Sequence, residues 1–349
     1  MKHTTYKTLA LLLAFIAVAS ASAFAQENRT GTNAASELLI PVGGRYIGMG
    51  GASIASVQGI EAIYWNPAGL NRSNYSANAM FSYMHHISDI NVNYVAVSAT
   101  FGGLGTLGFS IKSLNIGDIE VTTEDAPDGT GAIISPQFIT TGLTYSRALS
   151  DRVNVGATLN VVSENIDRVG ATGFAIDAGV QYSNLGKIDG LSIGVAVKNV
   201  GPAMQYGGAG LNRNSQPLNS DRGPSPYQVV AQKDELPTTL ELGLSYALPI
   251  GGKDKLLLTS LFQDNNFQEN VGRFGAEYNF RDLFFLRGGY SLSPDTPDDA
   301  VGKGAYIYGL TLGAGLHYDF TGLGIDINYA YRDLAFFSSS NVLSVSLGF

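Results

Sequence analysis

Apolar and polar residues alternate along many successive segments of this chain, and few folds are compatible with that pattern. Between residues 153 and 161, Val, Ala and Leu alternate with Asn, Gly and Thr, and segments 308–316 and 325–332 show the same period of two. Successive side chains of a β-strand point to opposite faces, so each such segment has one apolar and one polar face. The sequence therefore predicts an all-β fold built from long strands.

The strand-like segments follow residue 75 and number about fourteen. They lie at 76–86, 91–102, 104–116, 135–147, 152–164, 172–183, 190–200, 236–248, 254–264, 268–280, 284–293, 304–319, 323–332 and 341–349. Strands of about 9–13 residues, tilted by about 40°, span the roughly 25 Å apolar band of an outer membrane. We predict a transmembrane antiparallel β-barrel of about 14 strands, with apolar faces toward lipid and polar faces toward the lumen.

The lengths of the connections support a barrel rather than a soluble β-sandwich. Every connection from an even-numbered to an odd-numbered strand is short, whereas the longest, 117–134, 201–235, 294–303 and 333–340, join an odd strand to an even one. Two members of the second set, 87–90 and 265–267, are also short. Bacterial barrels have short periplasmic turns and longer outer loops. Loop 201–235 is rich in Gly, Pro, Asn and Ser, has few apolar residues, and is predicted to be a loop rather than a missed strand.

Composition excludes several other classes of protein. Charged residues make up only 14% of the chain, against about 25% in a typical globular domain. No segment after the N-terminus has the 18 or more consecutive apolar residues of a membrane-spanning helix. The absence of Cys excludes disulfides and thiolate chemistry. The net charge of −8 argues against nucleic acid as a partner.

Residues 1–25 have the organisation of a secretory signal peptide. Lys2 and Lys7 precede an apolar run from Leu9 to Ala19, and Ala23-Phe24-Ala25 has the small-x-small pattern of a cleavage site. The apolar run is too short for a spanning helix, which needs about 20 residues. We predict cleavage before Gln26 and, together with the strand pattern, location in the cell outer membrane.

Residues 26–75 differ from the rest of the chain and are predicted to plug a barrel formed by residues 76–349. Alternation is weak in this segment, and it is too short to form a stable domain alone. Its two glycine- and aromatic-rich motifs are the candidate plug and gate. The candidate residues are Gly44, Arg45, Gly48, Met49, Gly50, Gly51, Trp65, Asn66, Pro67 and Ala68. A phosphate-binding loop is disfavoured because Ser53 stands where GxGxxG needs its third Gly.

The stretch Gly44–Ala52, GRYIGMGGA, together with YWNPAGL at 64–70, resembles the N-terminal signature of the PorV/PorQ family. It is also similar to the wider FadL-like group, whose members share an Asn-Pro-Ala motif. The FadL-like resemblance implies a fourteen-stranded barrel with an N-terminal hatch. The PorV/PorQ resemblance implies a role in type IX secretion, with secretion-system subunits and secreted cargo proteins as partners.

Two functions therefore remain open, and a third is disfavoured. A PorV/PorQ-like protein would bind or shuttle cargo through its outer loops, with 201–235 as the candidate surface. A FadL-like protein would pass hydrophobic small molecules through the outer membrane, with the plug as gate. An apolar pocket of several hundred Å³ beside the plug favours transport. A lumen filled by side chains favours the interaction role.

Enzymatic chemistry has little support in the sequence, and we predict no catalytic residues, cofactor or metal. His85 and His86 are adjacent on a strand and so point to opposite faces. His317 and Asp319 share the polar face, where a satisfied polar contact is expected. Asp295, Asp298 and Asp299 form an acidic loop without the spacing of an EF-hand.

The chain ends on an alternating strand whose last residue is aromatic. Leu343, Val345, Leu347 and Phe349 alternate with Ser and Gly. This ending resembles the signal that outer-membrane insertion machinery reads. Phe349 is therefore predicted to serve as an insertion signal.

Overall fold

The computed structural model describes residues 31–216, 223–293 and 306–349, and within them fourteen antiparallel strands form one closed barrel. The predicted signal peptide and the acidic loop with Asp295, Asp298 and Asp299 lie outside these residues. The barrel strands are β1 (Ala77–His85), β2 (Asn91–Thr100), β3 (Thr106–Asn115), β4 (Gln137–Ala148), β5 (Val153–Ile166), β6 (Val169–Ser183), β7 (Leu191–Val200), β8 (Thr239–Gly251), β9 (Asp254–Asn265), β10 (Val271–Phe280), β11 (Phe284–Leu292), β12 (Tyr308–Phe320), β13 (Leu323–Leu334) and β14 (Ser340–Gly348).

The predicted barrel and its strand number are confirmed. Each strand pairs with its neighbours in sequence, and β1 pairs with β14 from Asn78–Gly348 to His85–Asn341, which closes the sheet. Closure leaves no strand edge unpaired toward lipid. In the described part of the chain, no helix has the length and apolarity needed to cross a membrane.

Side chains alternate between the outside and the lumen as the sequence predicts. In β5, Thr158 and Asn160 are buried in the lumen, whereas Leu159 and Val161 are exposed on the outside. The same division runs through β12, where Leu310 and Leu312 are exposed and Thr311 is buried. A continuous outer belt of apolar side chains therefore surrounds a polar interior, which suits a barrel in lipid.

The two ends of the barrel differ in their connections. One end has tight turns and also carries both ends of the barrel sheet, since the amides of Ser76 and Ala77 donate to the carbonyl of Phe349 at 2.9 and 3.1 Å. The other end carries the long connections, including 201–238. In an outer-membrane barrel the short turns are periplasmic, so the long connections form the outer face.

Loop 201–235 adds no strand to the barrel, as predicted, but it contains short strands of its own. Two short antiparallel pairs form within it, Met204–Gln205 with Lys233–Asp234 and Asn212–Ser215 with Ser225–Gln228. Ile119–Glu120 and Ile133–Ile134 pair similarly in the 116–136 connection. Runs of two to four paired residues are too short to show a readable alternation, so the sequence did not predict them.

The segment before β1 lies inside the barrel as a series of short helical turns. These are the 3-10 helices Ser36–Leu39, Gly59–Glu61 and Pro67–Arg72 and the α-helices Gly44–Ile47 and Ala62–Trp65. Side chains such as Tyr46, Met49 and Trp65 are almost completely buried there. We call residues 31–75 the plug segment. Its apolar residues have the partner surface that their sequence required.

Candidate functional site

The Gly44–Gly51 motif lies against the lumen wall and is held there by side chains of three strands. Ser344 accepts a hydrogen bond from the Gly44 amide at 3.0 Å. Thr311 donates to the Gly48 carbonyl at 3.3 Å, and Ser291 donates to the Gly50 carbonyl at 3.2 Å. Gly50 and Gly51 have φ values of +69° and +79°, which favour glycine. The motif thus folds a narrow turn whose polar backbone is satisfied by the wall.

Arg45 connects the plug segment to the barrel through a buried ion network. Its Nε and Nη2 donate to the Glu277 carboxylate at 3.1 and 2.9 Å. Arg287 donates to the same carboxylate at 2.6 Å and to Asn328 at 2.8 Å. Such bidentate guanidinium–carboxylate pairs are directional as well as strong. The network fixes the position of the first motif on β10, β11 and β13.

The second motif is anchored on the opposite side of the lumen. The Trp65 indole donates at 3.1 Å to the carbonyl of Val42, two residues before the first motif. The Asn66 amide donates to Ile54 and, at 3.3 Å, to Val180 of β6, while its oxygen accepts from Ala68. Pro67 and Ala68 begin the helix that follows and are buried. Asn66 therefore caps that helix and contacts the wall at the same time.

Glycines of the barrel wall allow the backbone of the plug segment to approach the strands closely. A Cβ added at Gly156 would lie 2.4 Å from Pro67 backbone atoms, and one added at Gly289 would lie 2.2 Å from the Gly50 nitrogen. Both distances are shorter than real Cβ contacts allow. The high Gly content of the strands is thus explained in part by the close approach of the plug segment.

A cavity of about 740 Å³ lies between the plug segment and the outer connections. Apolar side chains such as Ile40, Ile47 and Trp65 border it, but so do charged groups of several strands. The charged bordering side chains are Glu37, Glu164, Lys198, Asp234, Glu241, Glu269, Arg273 and Arg332. The cavity has the volume of a small-molecule site. Its lining is mixed rather than apolar.

The first turn of the plug segment meets an unusual group of charges at the rim of this cavity. Lys112 of β3 donates to the Glu37 carbonyl at 2.7 Å and to the Ile40 carbonyl at 3.3 Å. Burial, followed by the charge of Glu164, raises the pKa of Glu37 to about 8. Tyr206 of the outer connection donates to Glu164. Wall, plug and outer connection therefore meet at this point.

The structure brings all ten candidate plug and gate residues into the lumen, but sequence reasoning missed their charged partners. Lys112, Glu277, Arg287 and Arg332 each stand at a lumen-facing position of an alternating strand. A charged residue in register with the polar face of a membrane strand is a signal that the sequence contained, since lipid-facing charges are costly.

The other candidate groups are dispersed. His86 faces Arg332, with Nδ1 3.3 Å from Nη2, while His85 lies 3.2 Å from Asn91. His317 contacts Asp326 at 2.9 Å and Asp319 at 3.1 Å, near the periplasmic end. Phe349 is exposed beside Ala77. The expected polar contact of His317 with Asp319 is present.

Comparison with known families gives one match in sequence. Residues 23–249, nearly two thirds of the chain, match the family model described as "Type IX secretion system protein PorV". No curated protein has significant sequence similarity to the chain.

Solved structures similar to this one include a hydrocarbon channel and a toluene transporter. The CymD monoaromatic hydrocarbon channel has a TM-score of 0.56 at 13% identity, with 89% of this chain and 98% of that chain covered. The toluene transporter TodX of Pseudomonas putida has a TM-score of 0.52 at 12% identity, with 86% and 96% covered. At such low identity the likeness establishes the shared barrel fold and carries nothing about ligands.

Proposed function

Because the chain belongs to the PorV family of outer-membrane β-barrels, we propose that it serves type IX secretion by binding secreted cargo at the cell surface. The observation that carries this proposal is the family match over residues 23–249. Secreted cargo proteins and subunits of the secretion system are the proposed partners. No catalytic step belongs to this role.

Exposed apolar side chains on the outer connection 201–238 support a protein partner there. Tyr227 and Val229 are about half exposed, and Val230 is 80% exposed. They lie on or directly after the short strand Ser225–Gln228 of the outer connection. Apolar groups exposed to water outside a membrane commonly mark interaction surfaces.

The firm attachment of the plug segment also supports a role outside the lumen. The Arg45–Glu277–Arg287 network, the Asn66 contacts and the wall glycines hold the segment from several sides. In this proposal residues 26–75 close the barrel 76–349, residues 1–25 direct export, and Phe349 directs insertion. A fixed closure leaves the outer face as the functional surface.

Transport of a hydrophobic small molecule is the second candidate, and the cavity of about 740 Å³ favours it. In that case the plug segment would be a movable gate around Asn66, Pro67 and Ala68. The charged groups that border the cavity distinguish it from the apolar pocket that simple transport predicts.

The test is capture of the tagged protein from native outer membranes in mild detergent, with mass spectrometry of the bound proteins and extracted lipids. We expect secreted proteins or secretion-system subunits to be recovered with the wild type. Val230→Asp should reduce that recovery, whereas Leu149→Asp, which changes an exposed residue of a periplasmic turn, should not. Recovery of a hydrophobic molecule without any protein partner would contradict the proposal and favour transport.

A further inference from the structure

Two arginine side chains of the cavity wall carry no ion pair within the described part of the chain. Arg273 of β10 and Arg332 of β13 both border the cavity. Other basic groups of the lumen have partners within the protein: Arg45 and Arg287 share Glu277, Lys198 lies 3.7 Å from Glu241, and Lys112 donates to backbone carbonyls. The cavity therefore has a cationic corner that the protein itself does not neutralise.

Arg332 is the more deeply buried of the two, at 7% exposure. Its Nη2 lies 3.3 Å from the Nδ1 of His86, and its guanidinium carbon lies 4.4 Å from the centre of the Tyr308 ring. Its Nε has no hydrogen-bond partner. A buried guanidinium N–H without an acceptor is unfavourable, so an acceptor that reached it would stabilise the side chain.

The register of the sheet places the two arginines on one side of the lumen. Arg273 pairs across the sheet with Ser291, and Arg332 pairs with Thr311. The strands concerned, β10 to β13, are consecutive in the barrel. Tyr306, which borders the same cavity, interacts with both Arg273 and Ser291.

The glycine motif of the plug segment forms the floor of this corner. Ser291 and Thr311, the cross-strand partners of the two arginines, donate to the Gly50 and Gly48 carbonyls. Gly51 lies under Arg273, since a Cβ added there would be 3.4 Å from the Arg273 Cδ. The hydroxyls are thus used to hold the floor, and the guanidinium groups remain for a ligand.

We propose that the corner formed by Arg273 and Arg332 binds the carboxylate of a ligand that enters from the outer face. Guanidinium groups present N–H donors in a planar fork that matches a carboxylate. Ile47 and Trp65 border the same cavity and provide apolar contact for the part of the ligand next to the carboxylate. Glu164, which also borders the cavity, repels an anion and so directs the carboxylate toward the arginines.

The carboxylate has two possible sources, a small amphiphile or the C-terminus of a peptide. The site follows from the cavity and its charges and does not rest on the proposed role in secretion. The two proposals can fail independently. Cargo capture with the Val230 variant tests the role in secretion, and carboxylate binding with the Arg273 and Arg332 variants tests the site.

The single tryptophan of the chain, Trp65, borders the cavity and provides the readout. Full-length protein in detergent is titrated with 6-bromohexanoate and 6-bromohexanamide, whose bromine quenches indole fluorescence on contact. A second pair of probes is a short 4-bromophenylalanine peptide with a free or an amidated C-terminus. The chain has no cysteine that the alkyl bromide would modify.

We expect at least one carboxylate probe to quench saturably, with a Kd at least tenfold lower than that of its amide. Arg273→Gln and Arg332→Gln should each raise that Kd at least tenfold, Arg332→Lys less, and Arg152→Gln, in an exposed turn, not at all. Binding of bromohexanoate alone identifies a small amphiphile as the source, and binding of the peptide alone identifies a protein segment. Equal affinity for acid and amide, or arginine variants that bind like wild type, would overturn the proposal. If Arg332→Gln does not fold, the Kd of the variant at the half-buried Arg273 tests the proposal on its own.

Discussion

At the scale of single residues, ion pairs in the lumen and ion pairs at the barrel ends contribute differently to stability. Glu277 is 4% exposed and carries two guanidinium groups, whereas the Lys255–Asp282 pair of a periplasmic turn is about half exposed. Exposed pairs contribute little because water screens them. Removal of one member of a buried pair instead leaves an uncompensated charge.

We predict that Glu277→Leu lowers the free energy of unfolding by about 3–5 kcal/mol, because Arg45 and Arg287 then remain charged and unpaired. Asp282→Asn should cost less than about 1 kcal/mol. Urea unfolding in detergent measures both variants. Similar losses for the two would show that the network does not hold the plug segment.

Glu37 makes the first turn of the plug segment sensitive to pH. Its pKa is raised from 4.5 to about 8 by burial and by Glu164, while Lys112 and Tyr206 are the other titratable groups that face this pair. A carboxyl group with a raised folded pKa binds its proton more tightly when folded. Its contribution to stability is therefore full below about pH 4.5, falls as pH rises, and is lost above about pH 8.

Amide hydrogen exchange of residues 31–40 measures this effect. After correction for intrinsic rates, we expect the free energy of local opening to be lower at pH 9 than at pH 6 in the wild type. Glu37→Gln has no proton to lose at this position and should show a smaller difference. A wild type whose opening is equally costly at both pH values would contradict the assignment of Glu37.

At the scale of secondary-structure elements, glycines of the wall strands allow the backbone of the plug segment to approach closely. Gly288 and Gly289 are adjacent on β11 and offer a matched comparison. A Cβ at Gly289 would lie 2.2 Å from the Gly50 nitrogen, whereas a Cβ at Gly288 would have no atom within 4 Å. Gly289 therefore faces the plug segment, and Gly288 faces away from it.

Gly289→Ala should therefore destabilise the protein by about 1–3 kcal/mol, the usual cost of overpacking a filled interior. It should also make the plug segment more accessible to protease. Gly288→Ala should leave both properties close to wild type, and the same urea titration and limited proteolysis test the pair. Equal behaviour of the two variants would mean that the plug segment does not press on this strand.

The strands were predictable from the sequence because lipid and lumen impose opposite demands on alternate residues. Segment 284–293 was predicted and Phe284–Leu292 is found, and most other boundaries agree within about three residues. The location of Asn66 and Gly50 in the lumen was also predicted, since a short apolar segment needs a surface to cover it.

The charged partners and the short pairs of the outer connection were not predicted. Arg45 and Glu277 are separated by 232 positions, and nothing local in the sequence joins them. Such contacts follow from the register of strands on the far side of the lumen, which periodicity does not specify. The cationic corner of Arg273 and Arg332 depends on the same register.

At the scale of the whole molecule, the barrel combines a lipid-facing belt, a lumen filled by the plug segment and an outer face with exposed apolar groups. The buried network and the wall glycines hold the plug segment, and the cavity lies on its outer side. This division favours binding at the outer face over passage through the lumen.

A secretion assay in cells that lack the gene tests the proposed function most directly. We expect loss of the protein to reduce the amount of type IX cargo at the cell surface and to leave that cargo in the periplasm. Wild-type protein and Leu149→Asp should restore surface cargo, whereas Val230→Asp should restore it only in part. Normal surface cargo in the deletion strain, together with impaired uptake of a hydrophobic compound, would contradict the role in secretion and identify the barrel as a channel.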